Sequence, residues 1–183
     1  LIEACRNGKD VYCQKPETLT LREGRLMVEA ARRYGRVVSG GSQRVLEDYR
    51  KVVDQCWSGE LGTIKSINVN VGPLPMTCYL PGEPVPEGLD WDMWLGPAPW
   101  APYHLYRISG SFAINGTSWR SWSDYSGGGM TDWGAHHFGG ATFAADVREL
   151  EPVEVIYHDG KQGRYLEYRY PNGLLLYHNH PSM

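Results

Sequence analysis

The spacing of hydrophobic and polar residues changes character along this chain. Near the start, short apolar runs alternate with helical periods. Asp10-Val11-Tyr12-Cys13, bounded by Gly8 and Pro16, reads as a buried strand. Thr18 to Tyr34 reads as a helix with Leu26, Met27, Ala30, Ala31 and Tyr34 on one face. Thr20 and Glu23 supply a capping box for its first unpaired amides, and Gly35 ends it. Arg36 to Gly40 reads as a second strand. Leu1 to Gly8 reads as the last two turns of a helix already under way, closed by Gly8. Strands alternating with helices predict a parallel α/β sheet.

Beyond Gly41 the pattern shifts. A helix is expected from about Arg44 to Trp57, with Tyr49, Val52, Val53 and Cys56 at helical spacing and Ser58-Gly59 as its stop. Thr63 to Val71 alternates, with Ile67, Val69 and Val71 on one face and Asn68 and Asn70 on the other. That is a half-solvated strand, typical of an antiparallel sheet. The domain boundary therefore falls near residue 42. Residues 72–102 hold eight of the twelve prolines, yet also Trp91, Trp94 and Trp100, which a disordered linker lacks. Gly127 to Gly129 precede a helix expected from about Met130 to Asp146. Val153 to His158, Gly163 to Tyr170 and Leu174 to His178 read as strands, with Pro171-Asn172-Gly173 as a hairpin turn between the last two.

Composition narrows the field. The chain has 183 residues, 42% hydrophobic and 21% charged, enough for one sizeable core and two small domains at most. No apolar run is long enough for a transmembrane helix. Eighteen basic against 21 acidic residues give a formal charge of -3, which argues against a nucleic-acid footprint over the whole chain. No export signal is visible, so a cytoplasmic location is the default expectation, and a twin-arginine signal upstream of Leu1 would change it. Four cysteines, none in a C-x-x-C pair, read as buried reduced thiols.

Three features could carry chemistry. Cys13-Gln14-Lys15-Pro16 puts a lysine at the carboxyl end of a parallel strand, where open α/β sheets bind ligands; a surface lysine beside a turn fits the same residues. In Gly127-Gly128-Gly129-Met130-Thr131-Asp132-Trp133-Gly134-Ala135-His136-His137 the glycines permit close approach of a ligand to the backbone. Asp132 and His136, four apart, would share a helical face. A helix N-terminus favours the ionised carboxylate and the neutral imidazole, a plausible proton acceptor. A dipole-complementing Asp and a histidine satisfied in the core fit equally. Asp132, His136, His137 and the His178/His180 pair, expected on one strand face, are residue types that ligate metals. The adjacent histidines diverge and nothing fixes a third ligand, so no metal is expected. Finally, six of the seven tryptophans, Trp91, Trp94, Trp100, Trp119, Trp122 and Trp133, cluster with Tyr103, Tyr106 and Tyr125. Such faces suit sugar rings, and they also pack long loops.

Together these segments resemble the glucose–fructose oxidoreductase/inositol dehydrogenase (Gfo/Idh/MocA) family. Gly8 to Pro16 is similar to a family motif ending Glu-Lys-Pro, with Gln14 in place of the glutamate. Asp132-x-Gly134-x-His136 matches the family's Asp-x-Gly-x-His. Trp94-Leu95-Gly96-Pro97-Ala98-Pro99 looks like a segment of one bacterial branch. The order and spacing of these segments extend the likeness over nearly the whole chain.

The resemblance implies an α/β protein: a remnant of a Rossmann-like parallel sheet, then an α+β domain with a mostly antiparallel sheet. It implies NAD or NADP as cofactor, a sugar or cyclitol as substrate, and a homo-oligomer, dimer or tetramer. It assigns Lys15, Asp132 and His136 to catalysis, and Lys15, Gln14 and Gln43 to the cofactor. Lys15, Trp119, Asp132, His136 and His137 fall to the substrate. Gln14, a neutral amide, leaves Lys15 without the carboxylate neighbour of the family motif.

No G-x-G-x-x-G follows a strand. Residues 1–42 are therefore expected to be the C-terminal part of a Rossmann domain, and 43–183 a truncated substrate-binding and dimerisation domain. The chain is expected to be a fragment. An NAD-dependent glycosidase of the same family, or an inactive sheet module that only pairs subunits, are the competing readings.

Overall fold

The computed structural model describes residues 1–42, 47–109, 118–160 and 163–181. In chain order its first elements are α1 (Ile2–Arg6), β1 (Val11–Cys13), α2 (Leu21–Tyr34), β2 (Val38–Gly40), α3 (Arg50–Ser58) and β3 (Ser66–Val69). There follow α4 (Trp91–Leu95), α5 (Leu105–Ile108), α6 (Trp133–Ala144), β4 (Glu154–Gly160), β5 (Gly163–Arg169) and β6 (Leu175–His178). They divide into two compact units: Leu1–Val71 with Gly134–Met183, and Gly72–Trp133. None of the described helices is long and apolar enough to cross a membrane.

In the first unit, β1 and β2 pair in parallel, Val11 beside Val38 and Cys13 beside Gly40, with α2 as the crossover. The predicted alternation of strands and helices is thus present. Helix α2 starts at Leu21 rather than Thr18, because Thr20 is its N-cap. The Glu23 amide donates to Thr20 Oγ1 at 3.2 Å and the Thr20 amide donates to Glu23 Oε2 at 3.1 Å. Met27, Ala30, Ala31 and Tyr34 turn inward, but Leu26 is exposed. Strand β1 is not buried as expected: Tyr12 is 63% exposed and Val11 and Cys13 are half-buried, in a sheet of only two strands.

Helix α3 begins at Arg50, not near Arg44. Residues 47–49 form a turn, and 43–46 lie outside the described residues. The second sheet has the order β3-β6-β5-β4. Strands β4, β5 and β6 are antiparallel, while β3 runs parallel to β6. Alternation in residues 63–71 correctly marked a half-covered strand, but alternation reports faces and not direction. The β5–β6 hairpin turns at Pro171 to Gly173, where Gly173 takes φ 86 and the Leu174 amide donates to Asn172 Oδ1 at 3.1 Å.

His178 and His180 do not share a face. Asn179, at φ 59, breaks the alternation, so His178 meets Phe138 of α6 while His180 meets Tyr165 and Tyr177. Leu174 and Leu176 are buried. The four cysteines are free thiols, but only Cys5 is buried; Cys13, Cys56 and Cys78 are half-exposed.

The second unit is the proline- and tryptophan-rich segment, and its core is aromatic. Trp91, Leu95 and Tyr103 are buried, packed by Leu89, Trp94, Ile108 and Tyr125. Trp91 stacks on Trp94 at 5.0 Å, and Tyr103 and Tyr125 meet them edge-on. The indole N–H groups are satisfied by backbone carbonyls: Trp91 donates to Ala101 O at 2.8 Å and Trp122 to Tyr106 O at 2.9 Å. These rings are committed to packing, and Trp100 is exposed. The glycines before α6 serve a close approach as well, but to the chain's own backbone. A Cβ on Gly129 would sit against the Gly72 carbonyl, and the Gly129 amide donates to Pro73 O at 2.9 Å.

Candidate functional site

Strands β1 and β2 end side by side, and that brings two loop segments together. The Gly41 amide donates to Cys13 O at 2.7 Å. A Cβ on Gly41 would lie 2.9 Å from the Gln14 backbone, so only glycine lets the Gln14 segment pack so closely here. Gln14 therefore abuts Gly41, and Lys15 follows it, half-buried, at the carboxyl end of β1. The Lys15–Pro16 peptide bond is cis. Gln43, assigned above to the cofactor, lies outside the described residues.

One residue past Gly41, Ser42 reaches α6. Its Oγ lies 3.1 Å from His136 Nδ1 and donates to the Ala135 carbonyl at 3.4 Å. His136 is only 6% exposed. Gln14, Lys15, Gly41, Ser42 and His136 all belong to the first unit. The sequence reading missed Ser42. A lone serine after two glycines carries no signal until the fold sets it beside a histidine 94 positions on.

His137 turns the other way on α6, as its adjacency to His136 requires. Its Nδ1 lies 3.0 Å from the Asn70 carbonyl, which can only accept, so Nδ1 carries the proton and donates. It borders an apolar cavity of about 470 Å³ whose walls include Tyr49, Val53, Cys56, Val69 and Ala141.

The second unit carries the other predicted residues. Asp132 precedes α6 rather than lying within it, because α6 starts at Trp133. The expectation that Asp132 and His136 share a helical face is therefore corrected. Arg120 Nε donates to Asp132 Oδ2 at 2.8 Å, and the Arg120 guanidinium lies 4.3 Å from the centre of the Trp119 ring. The fold thus joins Trp119 and Asp132 through a cation that the sequence reading did not single out. A charged side chain in W-R-S-W looks like ordinary loop polarity.

Away from these clusters, the sheet holds an acid network. Glu167 accepts from Arg169 Nε at 2.7 Å and pairs with His158 Nε2 at 3.0 Å, while Arg169 also reaches Glu154 at 2.8 Å. The hydrogen bond from Arg169 holds the Glu167 carboxyl below its ordinary range, despite burial. Burial pushes His178 below the usual imidazole range.

Residues 76–170, just over half of the chain, match the model of the oxidoreductase family's C-terminal alpha/beta domain (GFO_IDH_MocA_C2). No curated protein sequence matches the chain. Among solved structures, similarity extends to an aldose-aldose oxidoreductase from Caulobacter crescentus complexed with glycerol, at TM-score 0.55 and 17% identity over 97% of this chain and 44% of that one. An inositol dehydrogenase homolog from Azotobacter vinelandii, complexed with NADH and myo-inositol, aligns at TM-score 0.56 and 16% identity, over 97% and 39%. An oxidoreductase domain protein from Kribbella flavida aligns at TM-score 0.56 and 20% identity, over 97% and 43%. The chain spans less than half the length of these structures, and at such identities the likeness is one of fold. That fold, a small parallel sheet followed by a mostly antiparallel one, and the family match agree: this chain belongs to the Gfo/Idh/MocA family of oxidoreductases.

Proposed function

We propose that the protein carrying this chain is an NAD(P)-dependent dehydrogenase that oxidises a hydroxyl-bearing carbon of a sugar or cyclitol. In this reading residues 1–42 are the C-terminal part of a Rossmann domain, and 43–183 belong to the substrate-binding and dimerisation domain. The observation that carries it is His136: the histidine of the family motif is buried and held at Nδ1 by Ser42, at the loop following β2. Family membership supplies the reaction class.

The residues present suit one end of a dinucleotide. The carboxyl ends of β1 and β2 are where a parallel α/β sheet receives a nucleotide, and Lys15 is placed there. Bound NAD or NADP would supply the hydride acceptor. The chain's own residues do the rest. Oxidising a secondary alcohol requires removal of the hydroxyl proton, and His136 is assigned as its acceptor. Lys15 is assigned to orient the hydroxyl and the nicotinamide, with Gln14 fixed beside it by Gly41. Trp119, His137 and Asp132, which Arg120 holds, are assigned to the sugar. Gln43 remains assigned to the cofactor. A homo-oligomer, dimer or tetramer, is part of the same reading.

The test is a panel of sugars and cyclitols with NAD and with NADP, using natural-length protein. Net formation of reduced nicotinamide supports a dehydrogenase. Release of an aglycone without net reduction would instead establish the NAD-dependent glycosidase of the same family. Absence of both, with intact subunit pairing, would leave only a sheet module.

A further inference from the structure

We propose that Ser42 is a positioning residue that fixes the tautomer and the ring orientation of His136. The proposal rests on the reading of His136 as the proton acceptor. An imidazole accepts a proton only through a nitrogen bearing a lone pair, and the bond made by one ring nitrogen decides which state the other is in. Ser42 Oγ has one proton and two lone pairs. The Ala135 carbonyl, 3.4 Å away, can only accept, and in this assignment the hydroxyl proton points to it rather than to the closer Nδ1. The 3.1 Å contact with His136 is then Nδ1–H donating to Oγ, and Nε2 carries the lone pair. No proton is gained or lost in this arrangement.

Ser42 is itself held in place. It follows Gly41, whose amide is anchored on Cys13 and whose missing side chain lets the Gln14 backbone close in. The segment that orients His136 is thus packed against the segment that carries Lys15. Two residues assigned to one reaction are aligned by a shared support at the ends of β1 and β2. With His136 only 6% exposed, water has little access to replace the hydroxyl.

The experiment uses natural-length protein labelled with 15N at histidine. The His136 ring signals are assigned by their loss in His136→Gln, and kcat and KM are measured for the substrate found above. Wild type is expected to show the Nδ1–H tautomer. Ser42→Ala should move the ring toward Nε2–H and lower kcat by about tenfold with KM nearly unchanged, the scale of one neutral hydrogen bond. Ser42→Thr, which keeps the hydroxyl, should retain both the tautomer and most of kcat. An Nε2–H ring in wild type, or an unmoved tautomer in Ser42→Ala, overturns the proposal. A tautomer that moves while His136→Gln turns over normally supports the role of Ser42 and refutes His136 as the acid/base group instead.

Discussion

Arg120 closes an ion pair on Asp132 at 2.8 Å, with the acid side chain only 13% exposed. They lie twelve positions apart, and Trp119 lies under the same guanidinium. A nearly buried carboxylate loses a charge partner and a fixed direction when the guanidinium beside it is removed. Arg120→Ala should therefore destabilise the protein by about 1–3 kcal/mol in urea unfolding. It should also raise the sugar or cyclitol KM while leaving the affinity for NAD(P) unchanged. Arg120→Lys should recover part of the stability but little of the KM, because a lysine lacks the planar fork. An unchanged KM would show that Asp132 is not a substrate contact.

Two glycines make a second, purely structural comparison. A Cβ on Gly129 meets the backbone of Gly72, which cannot turn aside, whereas one on Gly140 meets the ring of Tyr49 at 2.6 Å. Both alanine substitutions should destabilise. Gly140→Ala is expected to cost about 1–3 kcal/mol, the usual range for overpacking, and Gly129→Ala more. Urea midpoints order the two. Equal and small losses would mean that the residues 72–75 segment yields.

Acid should weaken the sheet in two stages. Burial lowers the pKa of His178, so the unfolded chain binds a proton more readily than the fold does. Stability falls as pH drops below the ordinary imidazole value of 6.5. Glu167 has its pKa lowered chiefly by the hydrogen bond from Arg169. Its contribution is present above the ordinary carboxyl value of 4.5 and is lost as pH falls from there through the folded value. Thermal unfolding between neutral pH and pH 3 should show Glu167→Gln less stable than wild type at neutral pH and flatter in the lower window. His178→Phe should flatten only the upper one. A Glu167→Gln curve parallel to wild type would remove the carboxylate from the network.

Much of the fold was legible because its signals are local. The Thr20–Glu23 capping box, Gly35 and the Pro171–Gly173 turn each depend on a few neighbouring residues, and the parallel pair β1–β2 follows from the strand–helix–strand order. The errors arise where distant parts decide. Whether β3 runs parallel or antiparallel to β6 depends on a partner more than a hundred residues away. The late start of α6 depends on Gly128 to Met130 forming a 3-10 turn against residues 72–75. Packed and exposed tryptophans look alike in sequence, and the indole hydrogen bonds of Trp91 and Trp122 mark these two as packed only in three dimensions. For the site, Lys15, Asp132 and His136 stood out through a family motif, whereas Ser42 and Arg120, the residues that hold His136 and Asp132, have no pattern of their own.

The most direct test is hydride transfer by natural-length protein, wild type against His136→Ala, followed through the absorbance of reduced nicotinamide with an accepted sugar or cyclitol, alongside the NAD(P) affinity of each. Removing the general base should lower turnover by about two to four orders of magnitude while leaving cofactor affinity within a small factor of wild type. Near-normal turnover in His136→Ala would contradict the assignment and leave His136 as a buried, structural histidine.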